Sequence, residues 1–218
     1  MKKIILTSLL LLVAVLSFTQ NQTLIDSLNY QLANERQDTN RVAIMLKLYD
    51  AFLGSPKPDS AQIIAIKALE LANKINYPKG KFKALSTLMS NRRTRGDSPT
   101  ALSYGHKALR FAEEMNDPFQ KGIIYEQFGL LYMLNLKDFP KAKTYFQQSI
   151  QEYERCDDID RLAGSELRLS SLYRRMNQLD SMLIYEQIAY ERYKSLNKSS
   201  QDDLFPMVMG QNHLDLIY

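Results

Sequence analysis

Small and apolar residues recur in one register along most of the chain, at steps of 40, 41 and 40 residues. An unrelated chain would lose this phase within a single loop. The repeat therefore limits the fold to architectures in which one short unit is copied several times. Two of the repeating columns are Ala61, Ala101, Ala142 and Met182, and Leu69, Leu109, Ile150 and Tyr190.

Within one unit, the apolar residues have helical spacing. Ala61, Ala65 and Ala68 follow each other at steps of four and three residues, and Ala72 continues the series. This is the period of one buried helix face. A second stripe of the same period, from Met45 to Phe52, precedes it. Each unit is therefore predicted to be a first helix (helix A), a tight turn and a second helix (helix B).

Turn-forming residues separate helix A from helix B in every unit. Asp97, Ser98 and Asp138 have side chains that suit a helix N-cap. Pro99 and Pro140 are predicted to occupy the first helical position, where no N–H group is needed. The turn segments are residues 54–56, 96–99, 136–140 and 177–180.

A helix pair of this length cannot bury both of its apolar faces alone, whereas stacked pairs can. The predicted fold is therefore all-α, an α-solenoid of stacked antiparallel helix pairs. Residues 20–39 are predicted to form a leading helix and loop, and residues 201–218 the first helix of an incomplete fifth repeat. The four complete pairs between them, residues 40–200, are predicted at 40–78, 79–119, 120–160 and 161–200.

The N-terminus has the organisation of a secretory signal peptide. Two lysines follow Met1, and an apolar run of fifteen residues, 4–18, comes next. This run is shorter than the about 20 residues that a bilayer span needs. Ser17 and Thr19 place small residues before a cleavage point. Residues 1–19 are therefore predicted to be a signal peptide and the chain to be exported, to the periplasm or another extracytoplasmic space. An uncleaved N-terminal anchor is the alternative.

Composition excludes several function classes. The formal charge of +4 includes the two lysines of the N-terminal segment and is no nucleic-acid signature. The single Cys excludes an internal disulfide framework and a multi-Cys zinc site, and the two His residues leave little for metal chemistry. The sequence contains no phosphate-binding loop, nucleophile elbow or zinc-protease motif. No catalytic residue, cofactor or metal site is therefore predicted, and the chain is predicted not to be an enzyme.

Isolated residues with chemical potential have simpler explanations. Cys156 shares a column with apolar residues, which favours a buried structural thiol over a redox-active one. His106 falls on the outer side of helix B and is predicted to be solvated. Asp157, Asp158 and Asp160 lie between two helices, so capping roles in a solvated loop are favoured over a carboxylate site.

The repeat resembles the tetratricopeptide repeat, which places a large residue, a small residue and an aromatic at the spacing Leu-Gly-x-x-Tyr in helix A. Phe128, Gly129 and Tyr132 match this pattern, and the small residues Ala142 and Ser149 follow in helix B. The period of about 40 exceeds the usual 34 of the family. It is similar to the longer-helix variety of kinesin-light-chain-like arrays.

Three residues depart from the family pattern. Arg92 replaces the aromatic of helix A in the second unit. Glu166 replaces a large apolar residue, and Glu186 a small or aromatic residue, in the fourth unit. The third unit also has one extra residue in its turn, which produces the step of 41.

The resemblance implies a right-handed superhelix whose helix A residues line a concave groove that binds a protein or peptide segment. In this sequence the groove is predicted to have basic ends and an amphipathic middle, where Leu130, Met133 and Leu134 would supply exposed apolar contact. Guanidinium groups suit carboxylates, including a free C-terminus. The alternative is that the arginines only keep a helix surface soluble. The groove positions are Lys83, Asn91, Arg93, Glu126, Gln127, Leu130, Met133, Arg168, Arg174 and Arg175.

Two functions follow from the resemblance. The first is an exported, non-catalytic interaction module with a protein or peptide partner, no nucleic acid and no small-molecule cofactor. The second is the sensory input region of a membrane-bound histidine kinase or helix-turn-helix regulator, because a signal peptide followed by repeats of this length resembles those regions. Membrane contact is predicted only through the signal peptide or a C-terminal region beyond this sequence.

Overall fold

The computed structural model describes residues 22–53 and 58–196, and these residues form helices joined by short turns. The predicted all-α fold of antiparallel helix pairs is confirmed, with no strand in these ranges. No helix of this part of the chain is both long and apolar enough to cross a bilayer. The helices are α1 (22–34), α2 (Asp38–Leu53), α3 (Pro58–Lys74), α4 (Pro78–Thr94), α5 (Ser98–Glu114), α6 (Pro118–Leu131), α7 (Phe139–Arg155), α8 (Ile159–Arg175) and α9 (Leu179–Ser195).

Several predictions concern residues outside these ranges. The signal peptide, the first A–B turn and the incomplete fifth repeat lie there. The described residues divide into two compact units, the first ending at Asn91 and the second beginning at Arg92. Each unit is described by itself below.

The first unit is built around the pair formed by α2 and α3. Val42 of α2, Ala68 of α3 and Ala84 of α4 are buried in one apolar cluster. Ile25 of α1 packs in a second cluster with Leu48 of α2, so the leading helix covers one face of the pair. The small residues of α3 allow the helices to approach closely while the larger side chains fill the space between them.

The second unit continues from the end of α4 through α9, and from α5 to α9 each helix packs against the next in the chain. One apolar cluster joins three helices, with Phe146 from α7, Leu169 from α8 and Met182 from α9. All three side chains are almost completely inaccessible to solvent. This cluster is the core that fixes the direction of the side chains on α8.

Two columns are fully buried in every unit, which supports the register inferred from the sequence. The fully buried columns of helix A and helix B are Leu48, Leu88, Phe128 and Leu169, and Ala68, Ala108, Ser149 and Ala189.

Each described turn between α3 and α9 has the same construction. A residue in the left-handed conformation is followed directly by the residue that precedes the next helix. The side chains of Asp97, Asp138 and Asp158 each accept a hydrogen bond from the backbone N–H three residues on, as N-caps do. The left-handed residues are Asn76, Gly96, Asn116, Lys137, Asp157 and Asn177.

The predicted caps Asp97 and Asp138 are therefore confirmed, as is the capping role of Asp158. Ser98 is not a cap. It is the first residue of α5 and is buried, because Asp97 already bonds the N–H of Thr100. Pro99 consequently stands one position later in its helix than predicted, and so does Pro140, because α7 begins at Phe139. A missing N–H is still tolerated at the second helical position.

The extra residue of the third unit lies in a π-helical turn, Tyr132–Leu136, that continues α6. The sequence analysis placed this residue in the connection to α7, and that expectation is wrong. The connection keeps its usual length, because Lys137 and Asp138 have the left-handed and cap conformations of the other turns. The backbone hydrogen bonds of a π turn join residues five apart, whereas those of an α-helix join residues four apart. A π turn therefore accommodates one additional residue.

Candidate functional site

The predicted groove residues belong to both units. Lys83 and Asn91 lie in the first unit on α4, where Lys83 is exposed and Asn91 is buried. Burial raises the pKa of the Asp50 carboxyl, and the Lys83 charge partly offsets that rise. The second unit contains Arg93, Glu126, Gln127, Leu130, Met133, Arg168, Arg174 and Arg175.

Three groove residues of the second unit lie together. The Nε atom of Arg168 lies 2.8 Å from Oε1 of Glu126, so the two side chains form an ion pair. Arg93 is close to Arg168. Burial, and then the Arg168 charge, lower the pKa of the Arg93 guanidinium. The two guanidinium groups (the arginine pair, Arg93 and Arg168) therefore lie near each other, and Glu126 forms its ion pair with Arg168.

The Nε atom of Arg93 is buried and has no hydrogen-bond partner in the part of the chain that the structure describes. The side chain of Arg168 is 41% exposed. The arginine pair is thus partly desolvated and partly open to solvent. A group that entered from the open side would meet a guanidinium whose hydrogen-bonding capacity is not exhausted.

Glu126 belongs to a network of hydrogen bonds with two buried hydroxyl groups. Its Oε2 atom accepts a hydrogen bond from Ser165 at 3.4 Å, and Ser165 lies 3.0 Å from Ser149. Ser149 donates to the carbonyl of Gly122. Glu126 is only 7% exposed, so it orients Arg168 and is not itself available to a ligand.

The apolar middle of the groove differs from the prediction. Met133 is 4% exposed because it packs into the core cluster with Ala142 and Leu169, so the expectation that it offers exposed apolar contact is wrong. Leu130 and Leu134 are half-buried against the same cluster.

The remaining polar groove residues have different environments. Gln127 is half-buried, and its Oε1 atom has no hydrogen-bond partner among the described residues. Arg174 and Arg175 are exposed in the last turn of α8, where positive charge is favourable at the negative end of the helix dipole. The solvated interpretation accounts for these two arginines, so they are weaker candidates than the arginine pair.

Asn135 is a residue near the arginine pair that the sequence analysis did not select. Its side-chain amide donates a 2.9 Å hydrogen bond to the carbonyl oxygen of Arg93, 42 residues away in sequence. The one sequence signal for it is the step of 41, because Asn135 lies in the π turn that takes up the extra residue.

The departures from the family pattern have polar partners in the structure. Arg92 forms an ion pair with Asp97 at 3.6 Å, across the turn that follows α4. The Nε atom of Arg192 donates to Glu166 at 2.9 Å. Burial raises the pKa of the Glu166 carboxyl, and Arg192 partly offsets that rise.

The isolated residues show no additional site. Cys156 is half-buried at the end of α7, and its thiol lies 3.5 Å from the carbonyl oxygen of Tyr153. His106 is exposed, as predicted, with its ring 5.0 Å from that of Phe128. The described ranges contain no group of His, Cys, Asp and Glu side chains that could hold a metal ion.

No protein-family model matches the chain, and no curated protein matches it. Several solved structures do. Aspartyl phosphate phosphatase F from Bacillus subtilis is 14% identical with a TM-score of 0.71, over 94% of this chain and 60% of that one. A Rap protein complexed with competence and sporulation factor is 12% identical with a TM-score of 0.72, over 90% of this chain and 60% of that one.

A third similar structure is a signal-transduction ATPase with a tetratricopeptide repeat sensor from Pyrococcus horikoshii. It is 17% identical with a TM-score of 0.64, over 81% of this chain and 28% of that one. The chain thus spans at most 60% of the length of these three proteins. At such identities the likeness shows the fold alone. The chain has a tetratricopeptide-like helical-repeat fold, which confirms the resemblance inferred from the sequence.

Proposed function

We propose that the chain is an exported, non-catalytic interaction module that binds a segment of a protein or peptide at the helix A surface of its second unit. The observation that carries this proposal is the arginine pair, in which Arg93 is partly desolvated and lies near the like charge of Arg168, and Arg168 is ion-paired with Glu126. The Rap protein of similar fold was solved in complex with competence and sporulation factor, which supports binding of a protein or peptide by this architecture.

The arginine pair favours a ligand with a carboxylate, either an acidic side chain or a free C-terminus. Arg93 is repelled by Arg168 and has lost part of its hydration, so a negative oxygen between them would lower the energy of both groups. A hydrogen bond to a charged group contributes about 1.5–3 kcal/mol. Because the ion pair with Glu126 holds Arg168 in place, little additional ordering is needed on binding.

Selection from a displayed library of short random peptides tests this function. The selected peptides should be enriched in Asp, Glu or a free C-terminus, and Arg93→Gln should weaken their binding about tenfold, measured by fluorescence anisotropy. Arg110→Gln is a matched control, because Arg110 is 67% exposed on α5, where it forms an ion pair with Glu114 and lies over the ring of Phe111. Unchanged affinity in Arg93→Gln would exclude the arginine pair as the binding site, and failure to select any peptide would count against the function itself.

Export rests on the sequence of residues 1–19. Mass spectrometry of a chain with a C-terminal tag, recovered from the envelope fraction, would detect a mature N-terminus at Gln20. Recovery from the cytoplasm with Met1 and residues 2–19 still attached would contradict export.

The alternative function is a sensory input region of a longer signalling protein. It is favoured by the similar fold of the signal-transduction ATPase with a tetratricopeptide repeat sensor, of which this chain covers 28%. A reading frame that continues after Tyr218 into an apolar run of about 20 residues would favour this alternative. A stop codon after Tyr218 would favour the free module.

A further inference from the structure

The carbonyl oxygen of Arg93 accepts two hydrogen bonds. One comes from the backbone N–H of Gly96 at 3.1 Å, as expected at a helix end. The other comes from the side-chain amide of Asn135 at 2.9 Å. A carbonyl oxygen has two lone pairs, so both positions are filled and the backbone of Arg93 is held from two directions.

Asn135 reaches this carbonyl from a π turn that the extra residue of the third unit creates. The turn comprises Tyr132–Leu136, and Asn135 is its fourth residue. Single π turns inside helices occur frequently at functional sites, since they rotate the following side chains relative to an α-helix. The corresponding end of α8 is α-helical and has no π turn.

Fixing the backbone of Arg93 restricts its side chain. The guanidinium is partly desolvated and lies near the like charge of Arg168, so electrostatic repulsion alone would move it away. The amide of Asn135 is uncharged. It can therefore hold Arg93 near Arg168 without neutralising either guanidinium, which a carboxylate at the same position would do.

We propose that Asn135 is a positioning residue for the arginine pair: by bonding the carbonyl of Arg93, it keeps the two guanidinium groups close enough to bind one carboxylate. This inference rests on the proposed function and adds the residue that sets its geometry. It also gives a role to the one irregular step of the repeat, because without the extra residue the π turn would not form.

Arginine side-chain NMR tests the proposal with acetate as the carboxylate probe. The ¹H–¹⁵Nε resonances of Arg93 and Arg168 should shift on titration with sodium acetate, and should not shift with acetamide or with sodium chloride at equal ionic strength. In Asn135→Ala, the acetate concentration at half-saturation should rise about tenfold. Asn135→Gln keeps an amide donor and should recover part of the loss. Asn73→Ala is the control, because Asn73 is exposed at the end of α3.

The outcomes separate the two proposals. If acetate shifts neither arginine in the wild type, acid binding is wrong and the positioning role is wrong with it. If acetate shifts both in the wild type and Asn135→Ala has the same half-saturation, only the positioning role is wrong. Should Asn135→Ala lose cooperative unfolding, Asn135→Leu decides the question, because it keeps the side-chain volume and lacks the donor.

Discussion

The hydroxyl of Ser170 donates a 3.1 Å hydrogen bond to Oε1 of Glu186, and these two residues stand where Gly129 and Phe146 stand in the preceding pair. A Cβ atom added at Gly129 would lie 2.6 Å from the ring of Phe146, so the glycine leaves room for the aromatic ring. The α8–α9 pair thus replaces a small–large apolar contact with a hydrogen bond between helix A and helix B.

This exchange predicts strong coupling between the two positions. Glu186→Phe alone should destabilise the fold by about 1–3 kcal/mol, because the side chain of Ser170 occupies the space that the ring needs. Ser170→Gly alone should also destabilise it, since it leaves a carboxylate without its donor. The double variant should recover most of the loss. Urea unfolding of all four proteins measures the coupling, and simple additivity would contradict the structural equivalence.

Gly129→Ala and Gly164→Ala should have opposite effects on stability. The methyl group at position 129 would meet the fully buried ring of Phe146, and overpacking of this kind costs about 1–3 kcal/mol. At position 164, the nearest atom to the new methyl group is the Tyr193 hydroxyl at 3.8 Å. There alanine should stabilise α8 by about 0.5–1 kcal/mol through its helix propensity. A melting temperature that is higher for Gly129→Ala than for Gly164→Ala would contradict the close contact between Gly129 and Phe146.

Gln178→Asp should stabilise the protein. Gln178 precedes α9 without a side-chain cap bond, although its φ of −103° and ψ of 74° are close to those of the capping residue Asp138. An aspartate there can accept the N–H of Ser181, which is typically worth about 1 kcal/mol. Gln178→Ala serves as the control and should change the midpoint of urea unfolding little. Equal midpoints for the two variants would show that no cap forms.

Glu166→Gln should alter how stability depends on pH. Burial raises the pKa of Glu166 from its ordinary value of 4.5, so the folded chain holds this proton more tightly than the unfolded chain does. As the pH rises from 4.5 to the raised pKa, the free energy of unfolding of the wild type should therefore fall relative to that of Glu166→Gln, whose side chain does not titrate.

Urea unfolding at about pH 4 and about pH 7 measures this difference. The free energy of unfolding of Glu166→Gln minus that of the wild type should be more positive at the higher pH. A difference that stays constant or becomes more negative would mean that the ion pair with Arg192 outweighs the desolvation of Glu166.

The sequence predicted the fold well because the repeat shows the same physical requirement several times. Ala61, Ala101 and Ala142 are all fully buried, as one helix B column should be. The caps Asp97 and Asp138 were equally predictable, since a cap depends on residues close in sequence.

The site was less predictable because it depends on where side chains point. Register placed Met133 on the groove side, but the π turn occupies that segment and Met133 lies in the core. The contact between Asn135 and Arg93 joins residues 42 positions apart, and no local pattern signals it. The proximity of Arg93 and Arg168 likewise depends on packing between separate helices.

The turns within a pair and the turns between pairs have the same construction, a left-handed residue followed by the residue that precedes the next helix. The backbone geometry of the turns therefore does not determine whether α7 pairs with α6 before it or with α8 after it. That choice is made by side chains, such as the ring of Phe146 over Gly129. Variants that equalise these contacts should populate frame-shifted stacks, with helices correctly formed but associated with the wrong neighbour.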